Sequence, residues 1–152
     1  MLKDAMTLMD APIYDPARER RRKIKIGVGV LLLLLTGFLV WLYRYWPEEH
    51  VVDKFFTSIE HKDFEAAYGI WMHDPAWKQH PQEYKRYPFG EFYTDWGPGS
   101  TWGLVNTHKI RASGECRGGG SGIVVEVIVN GRSEPARVWV EKGDKTLSYP
   151  PC

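Results

Sequence analysis

Ile26–Tyr43, IGVGVLLLLLTGFLVWLY, decides how this chain is organised, because its eighteen residues include no charge. As a helix at 1.5 Å per residue it covers about 27 Å, close to the hydrocarbon thickness of a bilayer. A soluble domain of this size cannot surround a helix that is apolar on every face. A cleaved signal peptide would need small residues after the apolar core. The segment that follows, WLYRYWPEEH from Trp41 to His50, supplies none. The expectation is a retained transmembrane helix over residues 24–46, between a tail (1–23) and a folded domain (47–152). Trp41, Tyr43, Tyr45 and Trp46 crowd the far end of the run, where amphipathic rings favour the lipid–water interface, and Arg44 can snorkel to the same level.

Charge sets the orientation. Residues 1–46 carry eight Lys/Arg against four acids, and six of those bases fall between Arg18 and Lys25, just before the apolar run. Residues 47–152 hold twelve bases and fifteen acids. The positive-inside rule places the N-terminus in the cytoplasm. A nucleic-acid binder would concentrate positive charge on its folded domain; this one is mildly acidic, so nucleic acid is not an expected partner. Cys116 and Cys152 both lie beyond the span, where an oxidising compartment favours pairing. An internal disulfide, two independent thiols and a bond to another chain all remain open readings.

Within residues 1–17 a Leu2/Met6/Met9 spacing is followed by Pro12 and Pro16, compatible with a short surface helix or a disordered tail. After Pro47 the period becomes that of an amphipathic helix, with Val52, Phe55, Phe56 and Ile59 on one face. Asp63 is a candidate N-cap for a second helix presenting Phe64, Ala67, Tyr68 and Trp71, which should stop before Pro75. A weaker third helix is expected from Pro81 to Tyr87, and Glu91–Trp96 adds at most another turn.

Gly97-Pro98-Gly99 ends the helical region. Strands are expected at Trp102–Ala112, Gly122–Asn130, Ala136–Lys142 and near Thr146–Tyr149. In the second, Ile123, Val125, Val127 and Val129 alternate onto one face. Asn130-Gly131 reads as a two-residue hairpin turn. Gly118-Gly119-Gly120 is a flexible link rather than a phosphate loop, since no Lys-Ser/Thr and no helix follow it. The fold class is therefore α+β: one N-terminal transmembrane helix, then two or three helices packed on a curved antiparallel sheet of three or four strands.

The segment VVDKFFTSIEHKDFEAAYGIW, Val51–Trp71, with Asp63-Phe64-Glu65-Ala66-Ala67-Tyr68 inside it, resembles the nuclear-transport-factor-two-like (cystatin-like) superfamily of membrane-anchored bacterial type over residues 48–149. The resemblance implies a cone, with the sheet wrapped around the helices and an apolar cavity open at one end. It also implies the bacterial inner membrane as location, with the domain periplasmic or extracellular. The superfamily includes dehydratases, isomerases, binding modules and oligomerisation domains, so the fold does not select a function. The layout is similar to that of the assembly-scaffold subunit of type IV secretion machines.

Candidate chemistry is sparse. His73-Asp74 with His80 does not match a metal-ligand spacing, so no metal and no cofactor is expected. Catalytic members of the superfamily use Asp–His or Asp–Tyr arrangements in the cone, and Asp95, Tyr93, Tyr68 and His108 are the residues that could meet there. No transferable motif contains them. Trp77, Tyr84, Tyr87, Phe89, Phe92 and Trp96 lie in a loop-rich stretch that is hard to bury, and are the candidate contact surface. The expected function is a membrane-anchored, non-enzymatic binding or assembly module whose partners are the bilayer and a further protein. The alternatives are a small-molecule-binding or catalytic cone and a sensor. Leu33→Arg is expected to disfavour insertion by about 2.5–3.5 kcal/mol, read as a loss of carbonate-resistant protein; insertion at the parent's efficiency would remove the span.

Overall fold

The computed structural model describes residues 16–152. The Leu2/Met6/Met9 spacing and most of the expected tail lie outside the described residues. The chain divides between Tyr43 and Arg44 into two units.

The first unit contains α1, Pro16–Leu42. It starts earlier than expected, because the basic cluster is itself helical. Arg, Lys and Glu are good helix formers, and Glu19 pairs with Lys23 one turn on, at 2.7 Å. The helix also ends before the expected Trp46. Thr36 donates its hydroxyl to the Leu32 carbonyl at 2.8 Å, so this hydroxyl in the middle of the apolar run is satisfied within the helix. No residue of α1 is buried. The helix is long and apolar enough to cross a membrane, by length and composition.

The second unit begins with α2, Trp46–Glu60. Pro47, Glu48 and Glu49 occupy its first turn, where a missing N–H and negative charge are both favourable. Val52, Phe55, Phe56 and Ile59 form its buried face, as the periodicity predicted. Asp63 then caps α3, Phe64–Trp71, accepting a hydrogen bond from the Ala66 amide at 3.0 Å. Ala67, Tyr68 and Trp71 are buried, and Phe64 is half-buried.

The next region departs from expectation. Instead of a helix from Pro81 to Tyr87 there are two short 3-10 turns, Trp77–Gln79 and Pro81–Tyr84. The full helix comes later, as α4, Phe89–Trp96. Gly90 weakens its local propensity, but Phe92 and Trp96 are driven into the core at 0% and 2% exposure. Packing of an apolar face outweighs propensity in so short a helix.

Four strands follow: β1 His108–Gly114, β2 Gly122–Val129, β3 Ala136–Glu141 and β4 Leu147–Ser148. They form an open antiparallel meander in the order β1-β2-β3-β4. β1 starts six residues later than predicted. Its approach is held instead by Asn130, whose side chain accepts from the amides of Asn106 (2.8 Å) and Thr107 (3.2 Å) and donates to the Leu104 carbonyl (2.7 Å). A bulge between Ile110 and Ala112 interrupts the β1–β2 ladder, a feature that bends a strand. Asn130 and Gly131 both adopt positive φ, and the Arg132 amide closes the turn onto the Val129 carbonyl at 3.0 Å. The hairpin is nevertheless not a two-residue one, because β3 begins only at Ala136. Pro135 has no N–H to add to the ladder.

Ile123, Val125, Val127 and Val129 of β2, with Val138 and Val140 of β3, are completely buried facing the helices. Phe55 occupies the centre, with the rings of Phe56, Trp71, Phe92 and Trp96 at centroid distances of 5.1, 5.3, 6.1 and 5.1 Å. These side chains pack between the helices and the sheet. Buried Glu48 meets Lys145 at 2.8 Å and ties the start of α2 to the β3–β4 turn. On the opposite sheet face the Trp139 ring lies over Gly120 and Gly122, and a Cβ on Gly122 would stand 2.6 Å from that ring and 2.3 Å from the Val140 carbonyl.

Cys116 and Cys152 form a disulfide, with Cα atoms 6.0 Å apart at a sequence separation of 36. It joins the segment after β1 to the segment after β4, and so links the two edges of the sheet. In the chain-entropy model closing this loop contributes about 3.8 kcal/mol. Cys116→Ser is therefore expected to lower the non-reducing melting temperature markedly, and reductant to lower the parent's to the same value. Equal melting curves for parent and variant would show that the bond adds no stability.

Candidate functional site

The stretch from Pro75 to Trp102 was expected to present an aromatic surface. The structure corrects this for Phe92 and Trp96, which are core residues because α4 turns them onto Phe55. Trp77, Tyr84, Tyr87 and Phe89 are half-buried. Trp77 stacks on Phe89 at 5.2 Å and meets Tyr68 edge-on at 4.7 Å, while its indole N–H donates to the Glu65 carbonyl at 3.2 Å. Tyr84 donates to Asp74 at 2.7 Å. Tyr93, by contrast, is 45% exposed, with its ring against Phe64 at 5.0 Å. The proposed interface residues Trp41, Tyr43 and Trp46 are all exposed, Tyr45 is half-buried, and the Arg44 guanidinium lies 4.6 Å from the Tyr45 ring centroid.

Asp74 organises the His73–His80 loop. It accepts from the Ala76 amide at 2.8 Å as well as from Tyr84, and His80 Nδ1 lies 3.2 Å away. The bond to Tyr84 holds the Asp74 carboxyl below its ordinary range and pushes the Tyr84 hydroxyl up to about 12. Among the described residues no three His, Cys, Asp or Glu side chains are grouped to hold a metal ion.

The four residues proposed for a catalytic cone do not come together. Tyr68 donates to the Tyr87 carbonyl at 2.6 Å, inside the aromatic core. His108 lies between two carboxylates of α2, with Nδ1 2.7 Å from Glu60 and Nε2 3.1 Å from Asp53, and its ring stacks on Phe56 at 5.5 Å. Asp53 and Glu60 are seven residues apart, so two helical turns place them on one face. This clasp joins α2 to β1. Sequence reading missed it because the histidine lies 48 residues beyond Glu60.

Asp95 makes the most developed polar arrangement. One of its oxygens, Oδ2, accepts from the hydroxyls of both Tyr87 and Tyr149 at 2.8 Å, and the two phenols are 3.1 Å apart. Burial, then the Asp95 bond, pushes Tyr149 up to about 12, against a lowering by Tyr87. Burial also raises Tyr87, with help from Tyr149 and Asp95. Both phenols therefore act as donors at neutral pH and hold the carboxylate in place rather than serving as bases. The cluster borders an open pocket of about 460 Å³ lined by Asp95, Tyr149, Thr94, Ser100, Thr101 and Trp102. A second opening, of about 480 Å³, lies between α2 and α3, with Val51, Ala66, Ile70 and Pro75 as its apolar lining and Lys54, Glu65 and His73 among its polar residues. A surface groove of about 440 Å³ beside the disulfide contains Val124, Glu126 and Arg137.

No protein-family model matches this chain, and no curated protein or solved structure matches it either.

The tyrosine pair has a measurable consequence. Tyr149 is held protonated above its ordinary value of 10.0, so its contribution to stability is whole below about pH 10 and is lost as the pH rises towards about 12. Tyr149→Phe should flatten the fall in melting temperature across that window and cost about 1 kcal/mol at neutral pH through the lost hydrogen bonds. An unchanged alkaline profile in the variant would place the sensitivity elsewhere.

Proposed function

We propose that this chain is a single-pass, membrane-anchored module that binds or assembles with another envelope protein and is not an enzyme. The observation that carries this reading is the contrast between its two units. Residues 44–152 possess a complete core of their own, whereas no residue of α1 is buried. The apolar run is thus not needed to fold the domain, and lipid is the medium that suits it. The basic cluster before the run supports a cytoplasmic N-terminus in a bacterial inner membrane, and the Cys116–Cys152 bond supports an oxidising compartment for the domain. Helices followed by an antiparallel meander agree with a nuclear-transport-factor-two-like assignment, which stays part of this proposal.

The non-enzymatic part rests on the interior. A cone that takes a substrate needs an open cavity, and here Phe55, Trp71, Phe92 and Trp96 occupy that space. Recognition then moves to the surface, where half-buried aromatics such as Trp77, Phe89 and Tyr87 offer rigid contact area at low entropic cost. A second reading, a small-ligand or catalytic site, is favoured by one observation: the tyrosine-held Asp95 carboxylate on the rim of an open pocket.

Purification of the full chain from native membranes in mild detergent separates the two. A protein subunit that co-purifies in stoichiometric amount is the expected result. A chain that migrates alone and carries a small molecule lost in Asp95→Asn would replace the assembly reading by the ligand-binding one.

A further inference from the structure

We propose that the first turns of α1 form a binding face for acidic phospholipid headgroups, built from Arg18, Arg21, Arg22 and Lys25. The inference rests on the membrane-anchor reading and adds a ligand class to it. The four cations follow the spacing i, i+3, i+4 and i+7, which places them on one face of a helix. All four are exposed. Glu19, the one acid between Pro16 and Lys25, pairs with Lys23 at 2.7 Å on a different face.

The arrangement is unfavourable for an isolated helix, because like charges three and four residues apart repel. Phosphate groups shared among these side chains would relieve this, and arginine is the cation best suited to bidentate phosphate contact.

Depth identifies the source of the phosphate. The helix is continuous from Pro16 through the apolar run to Leu42. At 1.5 Å per residue, Lys25, Arg22 and Arg21 stand about 1.5, 6 and 7.5 Å along the axis beyond Ile26. The headgroup region of one leaflet is about 5–8 Å deep. If the run from Ile26 fills the hydrocarbon core, the side chains of Arg21, Arg22 and Lys25 emerge at the level of lipid phosphates. Arg18, about one further turn out, can reach back along the same face.

The test reconstitutes the full chain into nanodiscs of phosphatidylcholine with a minority of phosphatidylglycerol and reads retained lipid by native mass spectrometry. Phosphatidylglycerol should be enriched around the parent. The triple variant Arg21→Gln, Arg22→Gln, Lys25→Gln should lose this by tenfold or more, since each cation near the surface contributes about fivefold. Arg21→Lys with Arg22→Lys, and the neutral exchange Glu19→Gln with Lys23→Gln, should both keep it. No enrichment in the parent, undiminished enrichment in the triple variant, or an equal loss in the Glu19/Lys23 exchange would each overturn the proposal. Displacement of the lipid by millimolar inorganic phosphate would overturn the lipid assignment in favour of a soluble anion. Alkaline carbonate extraction of native membranes keeps the two readings apart. A chain that resists extraction yet enriches no acidic lipid loses only the headgroup site, whereas a chain that is extracted loses the anchor itself.

Discussion

The folded domain depends on one aromatic cluster. Phe55, on the buried face of α2, is completely enclosed, and it touches rings from α3 (Trp71) and from α4 (Phe92 and Trp96). Phe56 next to it meets the same Trp96 edge-on at 5.6 Å. Edge-to-face pairs of this kind contribute about 0.5–1.5 kcal/mol each beyond the area they bury. The cluster is apolar enough to hold three short helices, none of which would persist alone, against the valine face of β2 and β3.

The same cluster determines which polar groups can meet. Large rings from every helix of the domain meet over the sheet and pack between the two layers. The polar groups that sequence reading placed inside a cone do not meet one another and have structural partners instead. His108 fastens α2 to β1, Tyr68 holds the Tyr87 backbone, and Asp95 is fixed by two phenols at the edge of an open pocket. The openings of the domain lie at its surface, an apolar one between α2 and α3 and another at the Asp95 rim.

Legibility in the sequence followed the range of the interactions. The buried face of α2, the Asp63 cap and the alternation of β2 are local patterns, and the structure has them where they were read. The errors cluster where distant contacts overrule local preference. The residues at 81–87 look more helical than those at 89–96, yet burial of Phe92 and Trp96 makes the latter the true helix. Trp102–Thr107 has strand-like composition, but Asn130 holds it as an irregular lead-in. The Asp53–His108–Glu60 clasp joins residues about fifty positions apart and leaves no local signal.

Sequence alone determined the order of the chain: a basic start, an uncharged run of bilayer length, helices with a 3.6-residue period, then strands with a period of two. Those properties are set by neighbours within a few residues, through sterics and the alternation of apolar with polar side chains. Tertiary structure alone decided that Cys116 and Cys152 meet, that the aromatic residues of α4 close the interior, and that Asp95 faces two tyrosines rather than a histidine. Each of these is a meeting of groups far apart in the chain, and such meetings are fixed by how the helices and the sheet share one core.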